Sequence, residues 1–161
     1  MTRAAAIESD FWGNVFPAIA ERAAEKHPEL RTGLAAYANE FRKFLGLLKD
    51  ATVPVAMVSP RIDHLWHEFI TCTVSYRDYC ARFVGHYLDH MPRTDWNPLP
   101  ESAISNFFEA YVAEYGKLPT CWFDGLSTEE QASLRSGELP PAFRWSGYIP
   151  PDFEGQQPCR L

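Results

Sequence analysis

The stretch SPRIDHLWHEFI, residues 59–70, sets Asp63, His64, Trp66 and His67 into about one helical turn, and GHYLDHMP, residues 85–92, adds His86, Asp89 and His90. On a helix, residues three or four apart share a face. Asp63 and His67 form such a pair, as do His64 and His67, and His86 and His90 form another if GHYLDH is helical. A helix hairpin would bring the two turns together and converge three or four nitrogen and oxygen donors, a set that suits zinc, iron, copper, nickel or manganese. Two histidines with one carboxylate is also the ligand set of non-haem iron oxygenases. HEF does not extend to the HExxH pattern of zinc proteases, because position 71 is a threonine.

The same residues admit two other readings. His67 beside Asp63 is suited to general base catalysis, since imidazole titrates near neutral pH and a carboxylate can orient its ring. Alternatively the histidines form a polar seam between helices, with Asp63 capping a helix or pairing with Arg61 or Arg82; buried polar groups find partners without any catalysis. Cys80 falls on the side of Tyr76 and Phe83, where it is a soft ligand, a nucleophile near His67 or His90, or a small core residue. The candidates for catalysis are therefore His67, Asp63, Cys80 and Tyr76.

These groups need helices to carry them. Residues 9–27 read as a first helix with Ser9 or Asp10 as cap and Phe11, Val15, Ile19 and Ala23 on its apolar face, disturbed by Gly13 and Pro17. In residues 29–49, Leu30, Leu34, Tyr37, Phe41, Phe44 and Leu48 form one sustained stripe that leaves Glu40 and Lys43 outside it. ATVPVAMVSP is an extended connector. Ser59 as cap and Pro60 at the first position then open the histidine helix, and another helix starts near Ser75 and ends or bends at Gly85. Residues 101–115 present Ile104, Phe107, Phe108, Tyr111, Val112 and Tyr115, with Gly116 as terminator. Ser127 with Glu130 makes a capping box for a short helix ending at Gly137. The spacing shows no strand pattern long enough to build a sheet. The expectation is one all-α domain of five to six helices over residues 1–138. A Pro- and aromatic-rich irregular tail, residues 139–161, would pack on the domain or on a protein partner.

The chain has 161 residues, 46% of them hydrophobic and 14% aromatic, which is a globular composition. A net charge of −6 without a cluster of Lys and Arg argues against nucleic acid. No apolar run reaches membrane-spanning length, and the N-terminus turns acidic too early for a secretory signal, so a cytoplasmic location is expected. The four cysteines, Cys72, Cys80, Cys121 and Cys159, show no CxxC spacing and are expected as free thiols.

The segment from Ser59 to Pro92 resembles the glycine-rich domain-containing-protein-like family, a domain of unknown function found in bacteria, fungi and plants. Pro60, Asp63, Trp66, His67, Tyr76, Tyr79, Cys80, Gly85, Tyr87, His90 and Pro92 fall in step with its D-x-x-W-H, Y-x-x-x-C and G-x-x-x-x-H-x-P pattern. Asp89 stands where that family often has the first of two histidines, and His64 and His86 lie outside the pattern. The resemblance implies a helical domain, no agreed reaction and no RNA role, and it concentrates a metal site on His67, His90 and Asp63, with His64 and His86 the weaker members. The leading expectation is a small metal-binding protein of redox or oxygenase type, using a divalent transition metal such as Fe, Zn or Cu. Its rival is a non-catalytic interaction or accessory subunit that docks through the 139–161 tail.

Overall fold

Ser59 and Pro60 start the helix that carries the histidines. The Ser59 side chain accepts the amide of Ile62 at 3.3 Å, and Pro60 fills the first position, where its missing N–H would be unpaired in any case. In the computed structural model, which describes residues 3–92, 99–137 and 145–153, this helix is α4, Pro60–Thr71. Before it lie α1 (Arg3–Asp10), α2 (Phe16–Lys26) and α3 (Leu34–Lys49); after it come α5 (Thr73–Tyr79), α6 (Ser102–Tyr115) and α7 (Thr128–Ser136). With α1 and α2 counted as one rod, six helices make up the described chain, a mostly α domain as expected.

The first rod differs from its sequence reading. Helix begins at Arg3, and neither Ser9 nor Asp10 caps it; Phe11–Val15 form a π-helical turn instead. A π turn inserts one extra residue, so the apolar face shifts: Val15 is exposed while Phe16 is buried. The turn also absorbs Pro17, which falls in the first turn of α2, where proline is tolerated. The long stripe of α3 holds, with Leu30, Tyr37, Phe41, Phe44 and Leu48 buried. Leu30, however, sits in a separate 3-10 turn, Pro28–Thr32, before Gly33. Glu40 is a correction: it is 3% exposed rather than on the outer face. Tyr111 and Trp122 both donate to its Oε2, and Lys43 Nζ lies 2.7 Å from Oε1. On α6, Val112 and Tyr115 turn to solvent instead of the core.

A small sheet is the second correction. Val55–Met57 (β1) and Met91–Pro92 (β2) both pair antiparallel with Ser146–Tyr148 (β3), which lies between them. The connector before α4 is thus a strand, and part of the tail is the central one. Trp145 and Tyr148 are buried with it. Gly147 packs against β1 so closely that a Cβ there would lie 2.6 Å from the Val55 carbonyl oxygen. β1 feeds α4, β2 follows His90 and Ser146 pairs with both Met57 and Pro92, so the sheet converges on the start of the histidine helix. Phe143 and Cys159 of the tail, and residues 93–98 of the loop before α6, lie outside the described residues. Among the described residues, no helix is long and apolar enough to cross a membrane.

Candidate metal centre

The apolar face of α4, formed by Ile62, Leu65, Trp66 and Phe69, is buried, and that packing fixes the direction in which the other face points. Asp63 and His67, one turn apart, come together there, with His67 Nε2 3.4 Å from Asp63 Oδ2. His90 arrives differently from the sequence reading. α5 runs on into a second π turn, Cys80–Val84, and Gly85 takes a left-handed φ of 93° that terminates it. GHYLDH is therefore not helical, and His86 and His90 do not share a helix face. His86 Nε2 lies 2.8 Å from the Tyr148 hydroxyl, whereas the extended segment returns His90 to α4. There His90 Nε2 is 2.9 Å from Asp63 Oδ1, and the His67 and His90 ring centroids are 4.4 Å apart.

Asp63, His67 and His90 thus offer one ligand atom each, all within 4.8 Å of one another. The two imidazoles face different oxygens of Asp63, His67 at 3.4 Å from Oδ2 and His90 at hydrogen-bond distance, 2.9 Å, from Oδ1. Ser146 donates its hydroxyl to Asp63 Oδ1 at 2.8 Å, the kind of outer contact that orients a ligating carboxylate. Burial pushes the Asp63 carboxyl up. The hydrogen bond to His90, the two neighbouring imidazoles and Ser146 outweigh that and hold it below its ordinary value. Burial also lowers His67 despite the attraction of Asp63, and His90 and His27 lower it further. An ionised carboxylate is the form in which Asp63 would ligate a metal.

The other candidates separate from this cluster. Tyr76 sits behind Trp66, accepting its indole N–H at 3.0 Å and donating to the Leu88 carbonyl at 2.6 Å. Its hydroxyl is fully engaged, and burial raises its pKa. Cys80 is 1% exposed, with its thiol also pushed up by burial, which suits core packing. Of the arginines weighed against Asp63, Arg82 pairs with Asp78 at 3.0 Å and Arg61 leans on Glu29 at 3.8 Å. His64 packs elsewhere: it stacks on His27, centroids 3.6 Å apart, with Glu29 beside both. Burial and the His27 ring push its pKa down to about 4.

Sequence reasoning missed Ser146, His27 and Glu29. Ser146 comes from a strand 83 residues beyond Asp63, and no local pattern marks it. His27 carries one signal, its place before Pro28, which forces it out of helical geometry.

No curated protein and no solved structure matches the chain. A family match covers residues 3–105 and so includes Asp63, His67 and His90. It is not to the glycine-rich domain-containing-protein-like family that the 59–92 motif suggested: the chain belongs to the uncharacterised UCP032817-like family.

Proposed function

We propose that this protein is a small helical metalloprotein that holds a divalent transition metal, Fe, Zn or Cu, on Asp63, His67 and His90. The observation that carries the reading is the convergence of one carboxylate and two imidazoles, from two separate chain segments, with one donor atom of each within 4.8 Å of the others. A three-ligand site of this kind leaves positions open for water, dioxygen or substrate, and His67, 52% exposed, marks the solvent side. With iron the set suits oxygenase-type chemistry, and with zinc it suits activation of water. The chain's own contribution is to fix the carboxylate through Ser146 and the His90 ring through Trp66, whose ring meets it nearly at right angles.

The test is metal analysis of protein purified without a histidine tag. Stoichiometric metal that is lost in His67→Ala and His90→Ala, with helical content intact, supports the reading. Metal content unchanged in both variants rejects it.

A second reading is favoured by the same solvent-facing imidazole. His67 with Asp63 behind it is a metal-free general base, in the arrangement where a carboxylate orients the ring. Activity that survives chelation but disappears in His67→Ala would select this reading over the first.

A further inference from the structure

We propose that the groove between α2 and α3 binds a monomeric straight-chain alkyl carboxylate, with its carboxylate on Arg42 and its chain along the apolar floor. None of the groove's residues belongs to the candidate metal centre, so the inference stands apart from metal binding.

The π turn at Phe11–Val15 builds one end of the groove. Such turns recur at functional sites. This one leaves Trp12 half-buried, packed on Phe16 with ring centroids 4.5 Å apart and edge-on to Phe41 at 6.2 Å. Phe16 and Ala20 continue the lining along α2, and Leu34 and Ala38 line it from α3. The two alanines leave the space between the helices unfilled, and a groove of about 870 Å³ remains. That volume falls within the range of small-molecule sites, about 300–1,000 Å³. From Leu34 to Arg42 the helix rises about 12 Å. A long, narrow occupant therefore suits it better than a compact one, and the hydrocarbon lining selects an alkyl chain.

The two ends of the groove differ in charge. At one end Arg31 Nη1 lies 3.7 Å from Glu21 Oε2, so each charge has an opposite beside it. At the other end the Arg42 guanidinium carbon lies 5.9 Å from the centre of the Trp12 ring. Among the described residues no carboxylate pairs with Arg42, and its neighbour Lys43 is committed to Glu40 at 2.7 Å. A guanidinium carries a planar fork of donors that matches a carboxylate. Here that fork stands at the edge of an aromatic and aliphatic surface. The ligand that satisfies both is an amphipathic anion. An alcohol or a quaternary ammonium with the same chain would satisfy the floor alone.

Calorimetric titration of the tag-free protein with decanoate, kept below its micelle-forming concentration, tests this. One equivalent should bind saturably. Octanoate should bind about tenfold more weakly, because two methylenes fewer are buried. Decanol should also bind at least tenfold more weakly, and decyltrimethylammonium should not bind. Arg42→Gln should weaken decanoate at least tenfold and leave decanol unchanged. Arg31→Gln, at the end already neutralised by Glu21, should alter decanoate affinity by less than about fivefold. Ala38→Met should fill the groove and abolish binding of both. Arg42→Gln changes an exposed side chain and keeps the test valid if Ala38→Met does not fold. Four results would overturn the proposal: no saturable binding of decanoate, equal affinity for decanoate and decanol, unchanged affinity in Arg42→Gln, or binding only to phosphatidylglycerol vesicles and not to monomeric decanoate.

Discussion

Trp66 and His90 meet at 85° with ring centroids 4.6 Å apart, and that contact ties the candidate metal centre to the core. Trp66 is fully buried. Its indole N–H goes to Tyr76, and Tyr76 in turn donates to the carbonyl of Leu88, two residues before His90. One chain of hydrogen bonds thus runs from α4 through α5 into the segment that delivers the third ligand.

Tyr76→Phe should therefore cost about 1–3 kcal/mol, because it leaves a buried indole N–H and a carbonyl without their partner. Chemical denaturation checks the stability, and zinc affinity of the folded variant should fall with it as His90 loses its anchor. Unchanged values for both would remove Tyr76 from the support of the site.

Ser146→Ala should leave the number of bound metals unchanged and lower affinity at the Asp63 site about 10- to 100-fold, the usual effect of removing an outer contact to a metal ligand. Competition with a chelating indicator reads this directly. A loss of stoichiometry instead would mean that the hydroxyl is itself a ligand.

Gly147→Ala should disrupt the sheet, because its Cβ would meet the Val55 carbonyl oxygen at 2.6 Å. The expected cost is about 1–3 kcal/mol, as for other overpacked positions. Metal affinity should drop in parallel, since Ser146 sits on the same strand. Thermal unfolding with and without zinc separates the two effects.

Glu40, in the middle of α3, governs acid sensitivity. Burial raises its carboxyl, but Lys43 and the hydrogen bonds from Tyr111 and Trp122 outweigh that and hold its pKa below the ordinary 4.5. A carboxyl depressed in the folded state adds stability that is present above its unfolded pKa and is lost as pH falls through the folded one. Glu40→Gln should destabilise by about 1–3 kcal/mol at neutral pH. The gap to wild type should narrow as pH drops below 4.5. A gap that stays constant with pH would contradict the role given to the charge.

What could be read from the sequence was what short-range spacing encodes. The stripe of α3 and the Ser59–Pro60 start are local patterns, as are the Ser127–Glu130 capping box and the Asp63–His67 pair, and all four appear in the structure. The motif also pointed to His90, but not to how it arrives: the chain turns at the left-handed Gly85, and the Leu88 carbonyl then accepts from the distant Tyr76 hydroxyl. Strand pairing between residues 55–57 and 146–148 spans some ninety residues, and three-residue strands carry too little alternation to declare themselves. The π turn at Phe11–Val15 shifts the apolar register by one residue, which a fixed helical period cannot anticipate. Glu40 interrupts an otherwise apolar surface because Trp122 and Tyr111, both distant in sequence, need an acceptor there.

The most direct test of the central claim is anomalous diffraction, at the metal's absorption edge, from crystals of the tag-free protein soaked in or grown with zinc. The account predicts a peak about 2.0–2.2 Å from one oxygen of Asp63, one nitrogen of His67 and one nitrogen of His90. Density at that position occupied only by a hydrogen-bonded Asp63–His90 pair, with the metal elsewhere or absent, would contradict it.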